Sequence, residues 1–375
     1  MPALAVTDMT APQSIEFDGN GLVPAAWQRE QPDLAYFVFN PAICPCPGGW
    51  VMVYRVVAPR YATNRIAACR LDASLKIVAG SVVPLSDTLI GVNQGIGDPR
   101  LVQHGERTYL LYCRFDPVSH LFLAELDLDA LSAKGDSRFL ALPARQLHER
   151  NWMLFPHDGD LLAVYTISPH VVLRLDLAGR AEVSCERVFT THWNAGAYAR
   201  RYGELRGGTS PARVGDAYYA FFHSSRFTGW AHPLLRRVRR RLGGQAPGIG
   251  QARSDGLSTS NAVHTLHRLY AWLCVRLRYT GGFYGFSARP PFAPTCLAVQ
   301  PVLVPEDECP ALRADRLRPA ARQVVFPTGA ALTENQQWLV SYGVHDERCK
   351  IRGLDHSALL RRCTDVQTER AHDPH

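Results

Sequence analysis

Gly97-Asp98-Pro99-Arg100-Leu101 leads through a short turn into Thr108-Tyr109-Leu110-Leu111-Tyr112-Cys113-Arg114, and the frame of this stretch decides how the chain is read. An Asp-Pro-Arg triplet alone reads as a turn, which Asp and Pro both favour. Its recurrence says more. Asp98 precedes Tyr112 by 14 positions, and the same interval separates Asn40 from Tyr54, Asn151 from Tyr165, Gly208 from Phe222 and Thr328 from Tyr342. Each first member lies in a polar or Gly/Pro-containing loop. Each second member closes an aromatic and aliphatic run that follows a Gly- or Asn-containing turn.

These runs have the composition of strands joined by turns. Tyr36 to Ile43, Gly48-Gly49 and Trp50 to Arg55 read as strand, turn, strand, with Arg65 to Leu71 and Ser81 to Leu85 as outer strands. The unit restarts at Asp98, Asn151, Gly208 and Thr328. The second members lie 58, 53, 57 and 120 residues apart. Repeats of about 50 residues with four short strands are the mark of a β-propeller. The expectation is therefore an all-β fold, a five-bladed β-propeller over 31–351. A flexible arm is expected at 1–30 and a weakly structured tail at 352–375.

The long last interval holds an insertion between the fourth and fifth repeats, expected at 226–278. It contains the basic run Leu234 to Leu242, a Gly-rich loop from Gly243 to Gly256, and Val263, Leu266, Tyr270, Leu273 and Leu277 at helical spacing. One reading is an amphipathic helix covering the propeller rim. The other is a basic helical hairpin that makes a peripheral membrane contact or meets an anionic partner.

The chain has 375 residues, 46% hydrophobic and 20% charged, which is the balance of a globular protein and not of a disordered one. No apolar run is long enough to span a bilayer. Met1 to Glu16 has neither a basic start nor a long apolar segment, so no export signal is read there and a cytoplasmic location is expected. Only Lys76, Lys134 and Lys350 are lysines; the rest of the 41 basic residues are arginines. That excess is expected to be mostly a solvated surface, and no nucleic-acid partner is read from it. Ten cysteines include the C-x-C of Cys44 and Cys46 but no C-x-x-C, so no metal site is expected and the thiols read as buried and reduced.

In a propeller the innermost strands open at a central channel, so the first members of the repeats converge on one mouth. That gathers Asn40, Asp98, Arg100, Asn151, Arg206, Gly207, Gly208 and Thr328, to which the strand ends add Arg55, Arg114, His223 and Asp346. Carboxylates and amides grip hydroxyls, while Arg and His take anionic oxygens. The set points to sugar and phosphate chemistry. Taken singly, each residue has a plainer reading: Asp98 as a turn cap, His223 as a buried hydrogen-bonded imidazole, Arg206 as surface charge. Tyr54, Tyr112, Tyr165, Phe222 and Tyr342 are expected in the core between blades. No P-loop, nucleophile-elbow or H-E-x-x-H motif is present.

Asn40-Pro41, Gly97-Asp98-Pro99-Arg100, Asn151 to Phe155, Arg206-Gly207-Gly208-Thr209 and Tyr342-Gly343-x-x-Asp346 together resemble glycoside hydrolase family 130. That family holds the five-bladed β-mannoside phosphorylases with their hydrolase and mannosyltransferase relatives. Arg289-Pro290-Pro291-Phe292 is similar to the run leading into the family's last blade. The resemblance implies a carbohydrate-active enzyme that cleaves or transfers a mannose-like unit by phosphorolysis or hydrolysis. Asp98 would be the general acid, acting through a substrate hydroxyl, and its carboxyl would stay protonated near neutral pH through burial. It further implies a small saccharide or glycan substrate bound by Asn40, Arg55, Arg100, Asn151, Arg206, Gly207 and Asp346. Inorganic phosphate would be a co-substrate held by Arg114 and His223, with no cofactor. Gly97 stands where the family has a glutamate. A glycosyltransferase on the same scaffold and a non-catalytic glycan-binding or interaction propeller are the alternatives.

Overall fold

The computed structural model of the protein describes residues 14–58, 63–91, 94–115, 118–143, 146, 148–179, 181–228, 276–308 and 323–367. The chain opens with β1 (Ile15–Glu16) and α1 (Ala25–Glu30), followed by the meander β2 (Phe37–Cys46), β3 (Gly49–Ala58) and β4 (Thr63–Asp72). A second meander runs β5 (Ile96–His104), β6 (Arg107–Arg114), β7 (His120–Asp127) and β8 (Ser132–Ala141). A third runs β9 (Met153–His157), β10 (Asp160–Thr166), β11 (His170–Asp176) and β12 (Glu182–Thr191). After α2 (Gly196–Tyr202) come β13 (Glu204–Arg206), β14 (Ala212–Val214), β15 (Ala217–Thr228), β16 (Arg276–Ser287) and β17 (Pro294–Ala298). The chain ends on β18 (Val325–Leu332), β19 (Gln337–Val344), β20 (Arg348–Asp355), α3 (His356–Arg361) and β21 (Cys363–Asp365). The fold is all-β and its sheets are those of a β-propeller-like protein.

Pairing explains the 14-residue interval. It is the register of the first hairpin at Asn40, Asp98 and Thr328. Gly97 faces Cys113 and Arg100 faces Leu111, so Asp98-Pro99 forms an irregularity opposite Tyr112. Asn40-Pro41 sits likewise opposite Tyr54, and Thr328 beside Tyr342. Asn40, Asp98 and Asn151 have φ of 54°, 53° and 62°. Asn and Asp tolerate this left-handed region better than other side-chain-bearing residues.

Both faces of the strands are buried, as expected where sheets stack around a ring. In β3, Met52 and Tyr54 pack with Leu339 and Ile351, while Val51 and Val53 pack with Leu101 and Leu110. The same alternation continues, with Leu111 against Leu154 and Leu173, Phe222 against Met153 and Val164, and Phe221 against Trp338 and Val340. Tyr54, Tyr112, Phe222 and Tyr342 are fully buried and Tyr165 packs at the border of its cluster, as core residues.

Outer edges are covered. β1 adds to β20, β21 adds to β17, and β8 and β12 pair with each other in parallel. Ala68 of β4 bridges to Val83. Covering an edge removes a template for aggregation.

Two expectations about boundaries need correction. The arm is built in from Ile15, with Trp27 of α1 buried, and the tail forms α3 and β21 through Asp365, because both close exposed strand edges. The ends of the expected insertion are strand: Arg226 pairs with Arg278, Phe227 with Leu277 and Thr228 with Arg276, so Leu277 belongs to a hairpin and not to a helix. The basic run, the Gly-rich loop and the other positions at helical spacing lie outside the described residues. Among the described residues no helix is long and apolar enough to cross a membrane.

Candidate active site

The starts of the first strands and the ends of the second strands meet at one end of the sheets, and there the irregularities described above deliver their side chains. Asp98 is the centre. Its Oδ1 accepts from Asn40 Nδ2 at 2.9 Å and from Arg55 Nη1 at 3.2 Å, with side chains of Arg55 and Asp98 8% and 13% exposed. Both bonds fall on Oδ1. Asn40 has room because Gly343 lies behind it; a Cβ there would stand 2.1 Å from Asn40 Oδ1.

Arg55 is held on all sides. Its Nε and Nη2 donate to Asn64 Oδ1 at 3.1 and 2.6 Å, and its guanidinium lies over the rings of Phe39 and Phe115 at 5.1 and 4.5 Å. Arg150 reaches the other side of the cluster, donating from Nε to Ser119 Oγ at 2.7 Å and lying 5.2 Å from the Phe115 ring centroid.

Arg100 is a buried staple beside Asp98. It is 2% exposed, and donates from Nε to Gly208 O at 2.5 Å, from Nη1 to Asp98 O at 3.1 Å and from Nη2 to Asn151 Oδ1 at 3.0 Å. Thr328 is likewise engaged inward, its hydroxyl donating to Pro41 O at 2.6 Å.

Burial acts to raise the Asp98 pKa, but the guanidiniums of Arg55, Arg100 and Arg150 and the Asn40 amide outweigh it and hold the carboxyl below the ordinary value. A carboxyl held below its ordinary value is ionised at neutral pH, against the expectation that burial keeps it protonated. The excess of positive charge around it decides the sign.

His223, expected as a phosphate ligand or as a buried hydrogen-bonded imidazole, has the surroundings of the second. It is buried, its Nδ1 lies 2.9 Å from Gly207 O, and its ring sits against Tyr279 and Phe326. Burial first, then the charges of Arg206 and Arg100, push it down to about 3, so it is neutral at physiological pH.

The structure thus brings Asn40, Arg55, Asp98, Arg100 and Asn151 into one hydrogen-bonded cluster, with Gly207 and His223 beside it. Arg206 is at the surface, ion-paired with Glu204 at 3.7 Å. Arg114 is exposed at the end of β6, and Asp346 occupies the turn after β19 with φ of 59°. The sequence reading passed over Arg150, Asn64 and Phe115, although Arg150 directly precedes Asn151. Among the described residues no group of three His, Cys, Asp or Glu could hold a metal ion.

No family model and no curated protein sequence matches the chain. Solved structures do. The β-1,2-mannobiose phosphorylase of Listeria innocua, solved with β-1,2-mannobiose, aligns at 12% identity over 94% of this chain and 99% of that one, with a TM-score of 0.55. A glycosyl hydrolase from Bacteroides ovatus aligns at 13% identity over 89% and 87%, with a TM-score of 0.52. A structure from work on hydrolases of the GH130 family that target β-1,2 mannosidic linkages in Candida mannan aligns at 12% identity over 86% of each chain, with a TM-score of 0.53. The chain has a glycoside hydrolase family 130-like fold, that of the mannoside phosphorylases.

Proposed function

We propose that the protein is a carbohydrate-active enzyme that cleaves or transfers a mannose-like glycosyl unit at the mouth of a five-bladed propeller. The blade count rests on the meanders β2–β4, β5–β8, β9–β12, β13–β17 and β18–β20, which bury core residues between successive neighbours. The observation that carries the function is Asp98. The Asp98 carboxylate is anchored through one oxygen by Asn40 and Arg55, and in this reading its other oxygen would meet a substrate hydroxyl. In this reading Asn40, Arg55 and Arg100 shape the floor, Asn151 and Gly207 hold its far side, and Arg206 and Asp346 belong to the rim. An anionic co-substrate such as inorganic phosphate would meet Arg114 and Arg150, and not the neutral His223. No cofactor is required.

As a general acid Asp98 must bind a proton, which the surrounding guanidiniums oppose; the acid role therefore predicts activity that rises on acidification. The electrostatics also favour a second reading. A carboxylate held ionised, beside a Gly97 that bears no acid, suits a glycan-binding protein that grips hydroxyls without turnover.

The deciding experiment incubates the protein with β-1,2-mannobiose and aryl mannosides, with and without inorganic phosphate, and measures mannose and mannose 1-phosphate. Asp98→Asn should retain sugar binding while turnover falls by about two to four orders of magnitude. Saccharide binding by the wild type without any product would establish the glycan-binding reading instead.

A further inference from the structure

Gly97 and Arg55 are built as a pair. The missing side chain at 97 leaves a notch into which Arg55 lies. A Cβ at position 97 would stand 2.6 Å from Arg55 Cδ, 2.8 Å from Nε and 3.1 Å from Cγ. All three atoms belong to the arginine, so residue 97 conflicts with the path of that side chain. The guanidinium delivered through the notch is then pinned by the fork onto Asn64 and by the rings of Phe39 and Phe115. Its remaining nitrogen reaches Asp98.

We propose that Arg55 is the positioning residue that holds the Asp98 side chain through Oδ1, and that Gly97 is the notch that lets it do so. This rests on Asp98 being the centre of the site, but not on which reaction, if any, occurs there. It makes residues 55 and 97 one functional unit. Any side chain at 97 would lift the guanidinium from Asp98 and let the carboxyl take up a proton more readily.

The groups that face Asp98 are Arg55 from β3, Arg100 from its own strand, Arg150 from the segment before β9, Cys113 from β6 and His223 from β15. Burial pushes Cys113 up to about 12 and His223 down to about 3. Neither changes charge between pH 4 and pH 7, so Asp98 is the group of this cluster that titrates there when its pKa rises.

The test is thermal unfolding of the full chain at pH 7 and pH 4, which needs no substrate. Arg55→Met should lower Tm by roughly 5–10 °C at pH 7, because a buried carboxylate loses its ion-pair partner. At pH 4 the deficit should shrink to about half or less, because protonation removes the uncompensated charge. Adding Asp98→Asn to Arg55→Met should restore much of the loss at pH 7. Gly97→Ala alone should reproduce the pH-dependent deficit, and should add little in an Arg55→Ala background. An equal deficit at both pH values, or a Gly97→Ala effect of the same size in both backgrounds, would overturn the proposal. Should Arg55→Met fail to fold, folding of the Arg55→Met/Asp98→Asn protein supports it, and failure of that protein as well overturns it. Loss of catalysis in a Gly97→Ala protein with wild-type melting at both pH values would likewise reject the notch while leaving the proposed function standing.

Discussion

Arg100 and Asn151 stand 51 positions apart in the chain and meet beside Asp98, Nη2 to Oδ1 at 3.0 Å. The same guanidinium closes onto the carbonyls of Gly208 and Asp98, so one side chain ties the starts of three successive meanders together. Arg100→Met should remove about 3 kcal/mol or more of stability, because each acceptor left dry costs about 1–3 kcal/mol. Denaturant unfolding checks it. A variant as stable as the wild type would show that the three acceptors find other partners.

Gly207 and Gly208 permit the backbone approach on which this staple depends. A Cβ at Gly207 would lie 1.9 Å from Asn151 O, and one at Gly208 2.3 Å from Phe221 O. Both obstacles are backbone. Each Gly→Ala change should cost about 3 kcal/mol or more through forced displacement, whereas Gly19→Ala, where a Cβ would meet nothing within 4 Å, should leave Tm unchanged.

Acid should destabilise the protein before its carboxylates titrate. His170 and His223 are both pushed down to about 3 by burial. An imidazole depressed in the fold is bound by more protons when unfolded, so stability is complete above the unfolded value and falls as pH drops below about 6.5. Near pH 5 each would cost about 2 kcal/mol. His170 packs against Tyr284 and Phe286, and neither ring nitrogen has a hydrogen-bond partner among the described residues. His170→Phe should therefore melt higher than the wild type at pH 5 and close to it at pH 8. Identical pH profiles would show that His170 binds protons equally well in the folded and the unfolded chain.

The N-terminal strand is expected to contribute more than its two residues suggest. Ile15 and Glu16 pair with Ile351 and Lys350, and Lys350 Nζ bridges Glu16 and the buried Glu308 at 3.0 and 2.7 Å. Deleting residues 1–18 should lower Tm and increase aggregation, since the β20 edge would be bare. Light scattering during heating measures both, and an unchanged profile would show that β20 tolerates exposure.

The repeating hairpin was legible because Asn40, Asp98 and Asn151 are residues that accept positive φ, and because Tyr54 and Tyr112, opposite the first two, are held in the core. The convergence of Asn40, Arg55, Asp98, Arg100 and Asn151 followed from that frame. The protonation of Asp98 did not, because it depends on a balance between burial and three guanidiniums whose distances no sequence displays. Arg150 was hidden among surface-like arginines. Ile15–Glu16 and Cys363–Asp365 are too short to show a strand period, and their role exists only beside the edges they cover.

The covering of β20 by β1 also sets an order of events during synthesis. Glu16 and its partner Arg348 are 332 positions apart, and the hydroxyls of Thr328 and Ser341 reach back to Pro41 across 287 and 300. These contacts form only after β18, β19 and β20 have left the ribosome. Until then the face of β3 that carries Met52 and Tyr54 waits without its neighbours from β19 and β20. Such long loop closures slow folding, so this sheet face stays only partly covered until β19 and β20 emerge, and a chaperone has its longest opportunity there.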